Sequence, residues 1–184
     1  IVGSVFQDPR SQFFMTDTTS EVAFGCVNAG LPRNDVAQRV ESAFRRMNIQ
    51  RLRDRSVFEL SSGEMQLVAI ASCYAMGPSM YVFDEPSANL DMEAVETLRK
   101  TLSELKREGK TVIVLEHRLF YLSNLIDRMV VIEDGVVSHV YDAAIALSLG
   151  DSILAHMGLR NLQLKSALSA IPEHKPTLSK CENA

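Results

Sequence analysis

The stretch Leu60-Ser61-Ser62-Gly63-Glu64-Met65-Gln66, followed by Met80-Tyr81-Val82-Phe83-Asp84-Glu85-Pro86, decides the reading of this chain. The first segment sets serines and a glycine at the start of an apolar helix. There, free backbone N–H groups and the positive end of the helix dipole suit a phosphate. Ser61 to Glu64 is also the Ser-x-x-Glu pattern of a capping box, and both roles can hold because a cap leaves other N–H groups free. The second segment is an apolar run of strand length ending in two adjacent carboxylates and a proline. Carboxylates at the C-terminal edge of a strand suit a magnesium ion and an attacking water.

Before these segments the spacing predicts a short strand, Ile1 to Phe6, running into a loop at Gln7-Asp8-Pro9-Arg10, where Pro9 favours a turn. From Asp17 to Gly77 mostly helix is predicted. Thr18 or Thr19 can cap a first helix, with Glu21 in its first turn and Gly30 and Pro32 as its end. Asn34 or Asp35 can open a second, where Val36, Val40, Ala43, Phe44 and Met47 recur at helical spacing. The helix of the first segment is predicted over 63–75, with Gly77-Pro78 as its stop.

Beyond it the period changes. Residues 80–83, 111–115 and 129–132 read as strands, and 92–108 as a helix with Val95, Leu98, Leu102 and Leu105 on one face and Gly109 at its end. Strand, helix, strand at this length is a βαβ crossover, which requires a parallel sheet. Glu133-Asp134-Gly135 predicts a type I′ hairpin into 136–140. Residues 142–149 and 151–157 read as short amphipathic helices, and Pro172 and Pro176 mark a tail or linker after Gly158.

Composition narrows the function classes. The chain has 184 residues, 46% of them hydrophobic and 23% charged, which fits an ordinary globular domain with a proper core. Nineteen basic against 23 acidic residues give a formal charge of −4, and no Lys/Arg block stands out, so nucleic acid is not an expected partner. Cys26, Cys73 and Cys181 are dispersed, without a C-x-x-C pair, as reduced thiols are. No uninterrupted apolar stretch reaches the ~18 residues of a membrane span.

In their order and spacing, five segments resemble the motifs of an ABC nucleotide-binding domain. Gln7 opens a segment like the Q-loop, Leu60–Gln66 resembles the signature motif, and Met80–Glu85 resembles Walker B. Ser87-Ala88-Asn89-Leu90-Asp91 is similar to the D-loop, and His117 to the switch histidine. Gln7-Asp8-Pro9-Arg10-Ser11-Gln12-Phe13-Phe14 with Glu21-Val22-Ala23-Phe24-Gly25 further resembles the energy-coupling-factor branch, whose ATPases drive uptake of vitamins or transition-metal ions. The resemblance implies an α/β fold with a parallel sheet of the P-loop NTPase type, incomplete here, and an inserted helical subdomain. Residues 1–8 and 79–157 would form a partial RecA-like ATPase core, 9–78 the helical subdomain, and 158–184 a tail or linker.

The resemblance also assigns roles. Asp84 and Gln7 would hold Mg2+, Glu85 would orient and deprotonate the attacking water, and His117 would sense the γ-phosphate of ATP. Ser61, Ser62, Gly63 and Glu64 would face the γ-phosphate of a nucleotide held by an opposing subunit, with Asp91 in the D-loop. Implied partners are a second ABC cassette, a transmembrane coupling protein and a substrate-binding membrane component, at the cytoplasmic face of the membrane. Departures are Ser62 and Glu64, where the usual signature has glycine and glutamine, and Leu67, where many relatives carry arginine. Glu64 is expected to weaken phosphate binding unless it faces away.

The glycine-rich phosphate loop (Walker A) of the family is not among these residues. Gly109-Lys110-Thr111 looks like its end, but follows a helix and precedes a strand, the reverse of the required order. Without that loop the chain by itself is expected to bind ATP poorly and to hydrolyse it slowly. Its strand would lie beside 111–115, so either 129–132 shifts in, another copy supplies pairing, or the fold is marginal. Two other classes compete: a non-transport ABC ATPase of DNA repair or ribosomes, and a catalytically silent partner that supplies only a signature motif.

Overall fold

The computed structural model describes residues 2–159; the tail expected at 158–184 lies outside the described residues from position 160 onward. The first strand, Val2–Val5 (β1), leads into three helices: Thr18–Asn28 (α1), Arg33–Arg46 (α2) and Ser62–Met76 (α3). Their caps differ in part from the expectation. Asp17, not Thr18 or Thr19, caps α1, its carboxylate accepting from the Ser20 N–H at 2.8 Å. A carboxylate directly before the helix reaches the third N–H, which leaves Thr18 free to be buried, its hydroxyl donating to the Leu52 carbonyl at 2.6 Å. The second helix begins directly after Pro32, without a side-chain cap from Asn34 or Asp35.

α2 is amphipathic and turns Val36, Val40, Ala43 and Phe44 inward. α3 is apolar on nearly every side, and Met65, Leu67, Val68, Ala69, Ile70 and Ala71 are all buried, as expected of a helix running through a core. α1 and α2 pack along it. Gly77, with φ 64°, ends α3 in the left-handed conformation that a side chain would disfavour.

Met80–Asp84 (β2), Met92–Arg107 (α4) and Thr111–Leu115 (β3) form the expected βαβ unit. The sheet is parallel, in the order β1-β2-β3, with Val5 opposite Phe83 and Asp84 opposite Leu115. Val95, Leu98, Leu102 and Leu105 of α4 are buried, and the helix packs on β3. Tyr81 and Phe83 point to one face of β2 and stack at 6.0 Å between ring centroids.

Arg128–Glu133 (β4) and Val136–Asp142 (β5) form a separate two-stranded antiparallel sheet. Asp134 and Gly135, at φ 51° and 78°, make the type I′ turn. Residues 129–132 therefore do not shift in beside β3. Among the described residues nothing pairs the outer edge of that strand, and Ile113 and Leu115 are 46% and 47% exposed. Among the described residues this apolar strand therefore stands at an edge of the sheet, with its outer N–H and C=O groups unpaired by any other strand. Two short helices, Ala143–Ser148 (α5) and Asp151–His156 (α6), follow.

Gly3 shows how tightly β1 seats on α3. A Cβ there would lie 2.6 Å from Cys73 Sγ and 2.7 Å from Pro78 Cγ. Gly3→Ala is expected to cost about 1–3 kcal/mol in urea unfolding. Gly150→Ala, where a Cβ meets nothing within 4 Å, serves as the control and should change stability by no more than about 0.5 kcal/mol.

Candidate functional site

The parallel register brings the C-terminal ends of β1, β2 and β3 to one edge. Gln7 follows β1 by two residues, Glu85 directly follows β2, and His117 follows β3 by two. Their side chains meet. Gln7 Nε2 donates to Glu85 Oε2 at 2.9 Å, and His117 Nε2 lies 3.1 Å from Glu85 Oε1. The Glu85 backbone is left-handed, with φ 43°, and is held there by its N–H donating to the Leu115 carbonyl at 2.9 Å. Such a conformation costs a non-glycine residue about 1–2 kcal/mol, and its persistence at the meeting point of three loops marks a place where orientation of the side chain matters.

Asp84 is the last residue of β2 and is half-buried beside this group. Hard oxygen donors from Asp84, Glu85 and Gln7 suit Mg2+, which is bound through one or two carboxylates, waters and substrate phosphates. Among the described residues no cluster of three or more His, Cys, Asp or Glu side chains forms an all-protein metal cage. Cys73 takes no part in this chemistry, since burial pushes its thiol up to about 12.

The second predicted group stands at the start of α3. Ser61 is the N-cap, and the capping box is complete: Ser61 Oγ accepts from the Glu64 N–H at 3.3 Å, and Glu64 Oε2 accepts from the Ser61 N–H at 3.0 Å. Glu64 Oε1 accepts from Arg51 Nη1 at 2.8 Å. The carboxylate therefore folds back onto its own cap. The Ser61 N–H first, and the Arg51 and Arg55 charges after it, hold the Glu64 carboxyl below its ordinary range. The Glu64 charge is thus spent on the Ser61 N–H and on Arg51 at the start of α3.

Ser62 is exposed and Gly63 half-buried. A Cβ on Gly63 would lie 2.8 Å from the Asn89 carbonyl oxygen, so the helix start rests directly against the loop after β2. Asp91 caps α4, accepting from the Ala94 N–H at 2.8 Å. Leu67, 8% exposed, packs into the core in place of any surface ion pair. Among the described residues no hydrogen bond or ion pair joins the Ser61–Glu64 group to the Gln7–Glu85–His117 group. Two residues escaped the sequence reading: Arg51, which nothing local marks as the partner of Glu64, and Glu116, whose only signal is its place before His117.

The family described as ABC transporter matches residues 1–88. The solved structure of cbiO1 from Clostridium perfringens, part of the ABC transporter complex cbiONQ, is 31% identical, covers 91% of this chain and is itself covered over 67%, at a TM-score of 0.70. The chain belongs to the ABC transporter family. A Treponema denticola protein named as an ABC transporter ATP-binding protein is 41% identical over 97% of the chain. The energy-coupling factor transporter ATP-binding protein EcfA of Methanothermobacter thermautotrophicus is 38% identical over 73%. The chain spans 36% of the length of the first of these and 43% of the second. A dimeric ATP-binding cassette in a post-hydrolysis state, bound to ADP and Pi, shares the fold at a TM-score of 0.70 and 23% identity. The fold class is therefore α/β, of the P-loop NTPase type.

Proposed function

We propose that the chain is part of an ATP-binding and ATP-hydrolysing subunit of an energy-coupling-factor-type importer, which couples hydrolysis to uptake of a vitamin or a transition-metal ion. The observation that carries this reading is the meeting of Gln7, Glu85 and His117 at one sheet edge. The names of two similar proteins, EcfA and the cbiO1 component of a cbiONQ complex, support the importer branch. On this reading residues 1–8 and 79–157 belong to the ATPase core and 9–78 to the helical subdomain.

Each side chain then has a task. Asp84 and Gln7 hold Mg2+, which when bound neutralises developing phosphate charge. Glu85 accepts a proton from the attacking water, and the neighbouring His117 ring keeps its carboxylate aimed. His117, with its side chain 66% exposed, presents that ring to a γ-phosphate arriving at the sheet edge. The N–H groups at the start of α3 and the Ser61 and Ser62 hydroxyls face the phosphate of a nucleotide held by a second cassette, with Asp91 fixing the adjoining helix. Transmembrane and substrate-binding components complete the assembly at the cytoplasmic membrane face; no described helix is long and apolar enough to cross a membrane.

The test is uptake by cells carrying the native transporter assembly. Labelled cobalt, nickel or vitamins should accumulate in an ATP-dependent way, and His117→Ala should abolish accumulation. ATP turnover that tracks ribosomes or DNA, with no membrane protein in the assembly, would sink the importer reading and favour a non-transport ATPase.

A further inference from the structure

Glu116 stands between the end of β3 and His117, and its half-buried carboxylate collects three backbone N–H groups and two hydroxyls. Oε1 accepts from the N–H groups of His117 and Arg118, at 3.0 and 3.1 Å. Oε2 accepts from Ser87 Oγ at 2.7 Å, from the Ser87 N–H at 3.4 Å and from the Tyr121 hydroxyl at 2.9 Å. Ser87 belongs to the loop after β2, on the far side of Glu85, and is fully buried. Arg118 Nη1 reaches the Ser87 carbonyl at 3.5 Å, tying the same two loops a second time.

A carboxylate is suited to this place because it only accepts, on two oxygens with about four lone-pair sites. Hydrogen bonds to an ionised acceptor are roughly twice as strong as neutral ones. Burial, and after it the Glu116 charge, holds the Tyr121 phenol far above its ordinary range, so that group remains a donor. An amide in the same position would turn an NH2 toward groups that themselves donate, leaving donors unpaired in a partly buried site.

We propose that Glu116 is a positioning residue, a hub that fixes the backbone of His117 relative to the Ser87 loop and thereby keeps the His117 ring on Glu85. The same loop continues to Asn89, against which Gly63 rests, so the hub also determines where the start of α3 sits relative to the histidine. This inference rests on the reading of His117 and Glu85 as the phosphate-facing pair, but its test needs no nucleotide.

In the isotope-labelled chain, Glu116→Gln should speed amide exchange at His117 and Arg118 by about tenfold, the factor expected when roughly one charge-assisted hydrogen bond is lost. A spectroscopic cycle separates positioning from mere stability. Glu85→Gln should shift the His117 ring resonances in the otherwise native chain, and at least half of that response should vanish in the Glu116→Gln background. Should Glu116→Gln fail to fold, Ser87→Ala and Tyr121→Phe each remove one arm of the hub. Both should still speed exchange at His117 and Arg118, whose N–H groups donate to Glu116 and not to either of these side chains. Unchanged exchange at both amides, with a full ring response and only a lowered melting temperature, would overturn the proposal. Absence of ATP hydrolysis in the native assembly would instead sink the functional reading and leave these results standing.

Discussion

Replacing Glu85 by glutamine should lower ATP turnover by about 10²–10⁴-fold, with nucleotide binding preserved. The substitution keeps the shape of the side chain and one acceptor oxygen for Gln7 or His117, which lie 2.9 and 3.1 Å from the carboxylate. What it removes is the oxygen that, on the proposed role, would take a proton from water. A loss of that size corresponds to about 3–5 kcal/mol of transition-state stabilisation. Binding should survive because attraction for the phosphates comes chiefly from backbone amides and a lysine of a phosphate loop, none of which involves Glu85. The measurement is phosphate release from the native assembly, paired with equilibrium nucleotide binding. Turnover within twofold of the native rate would remove Glu85 from the role of base and leave it a structural acceptor of Gln7 and His117.

Phe44→Ala should be the most damaging single change to stability. Phe44 is 0% exposed on the inner face of α2, among Val40, Ala43 and Met47, with the Arg53 guanidinium 5.0 Å above its ring. Deleting a fully buried aromatic ring costs about 3–5 kcal/mol, the transfer of its atoms plus the cavity left behind. In a chain of this length that lowers the melting temperature by roughly 6–20 °C. Phe58, 79% exposed in the loop before α3, is the matched control, and its replacement by alanine should change stability by no more than about 0.5 kcal/mol. A loss below about 1 kcal/mol for Phe44→Ala would mean that α2 does not pack as described.

The amino-acid order alone determined whatever a few neighbouring residues can settle among themselves. The Ser61–Glu64 capping box, the left-handed stop at Gly77, the apolar face of α4 and the Asp134-Gly135 turn are local geometry, and each was legible as such. So was the parallel sense of β2 and β3, because a crossover helix permits no other. Caps were less secure where several acceptors stood together: Asp17 displaced Thr18 and Thr19 because its carboxylate reaches the helix N–H while Thr18 is drawn inward to Leu52.

Tertiary structure decided the rest. Gln7 and Glu85 are 78 positions apart, and only the pairing of three strands in parallel register lays their chain ends side by side. Arg51 meets Glu64, and Glu116 meets Ser87 and Tyr121, across loops whose separation no periodicity encodes. Sequence fixes a residue's chemistry and its immediate backbone, whereas the distance between two charged groups depends on how buried apolar faces stack, and that stacking is a property of the whole chain.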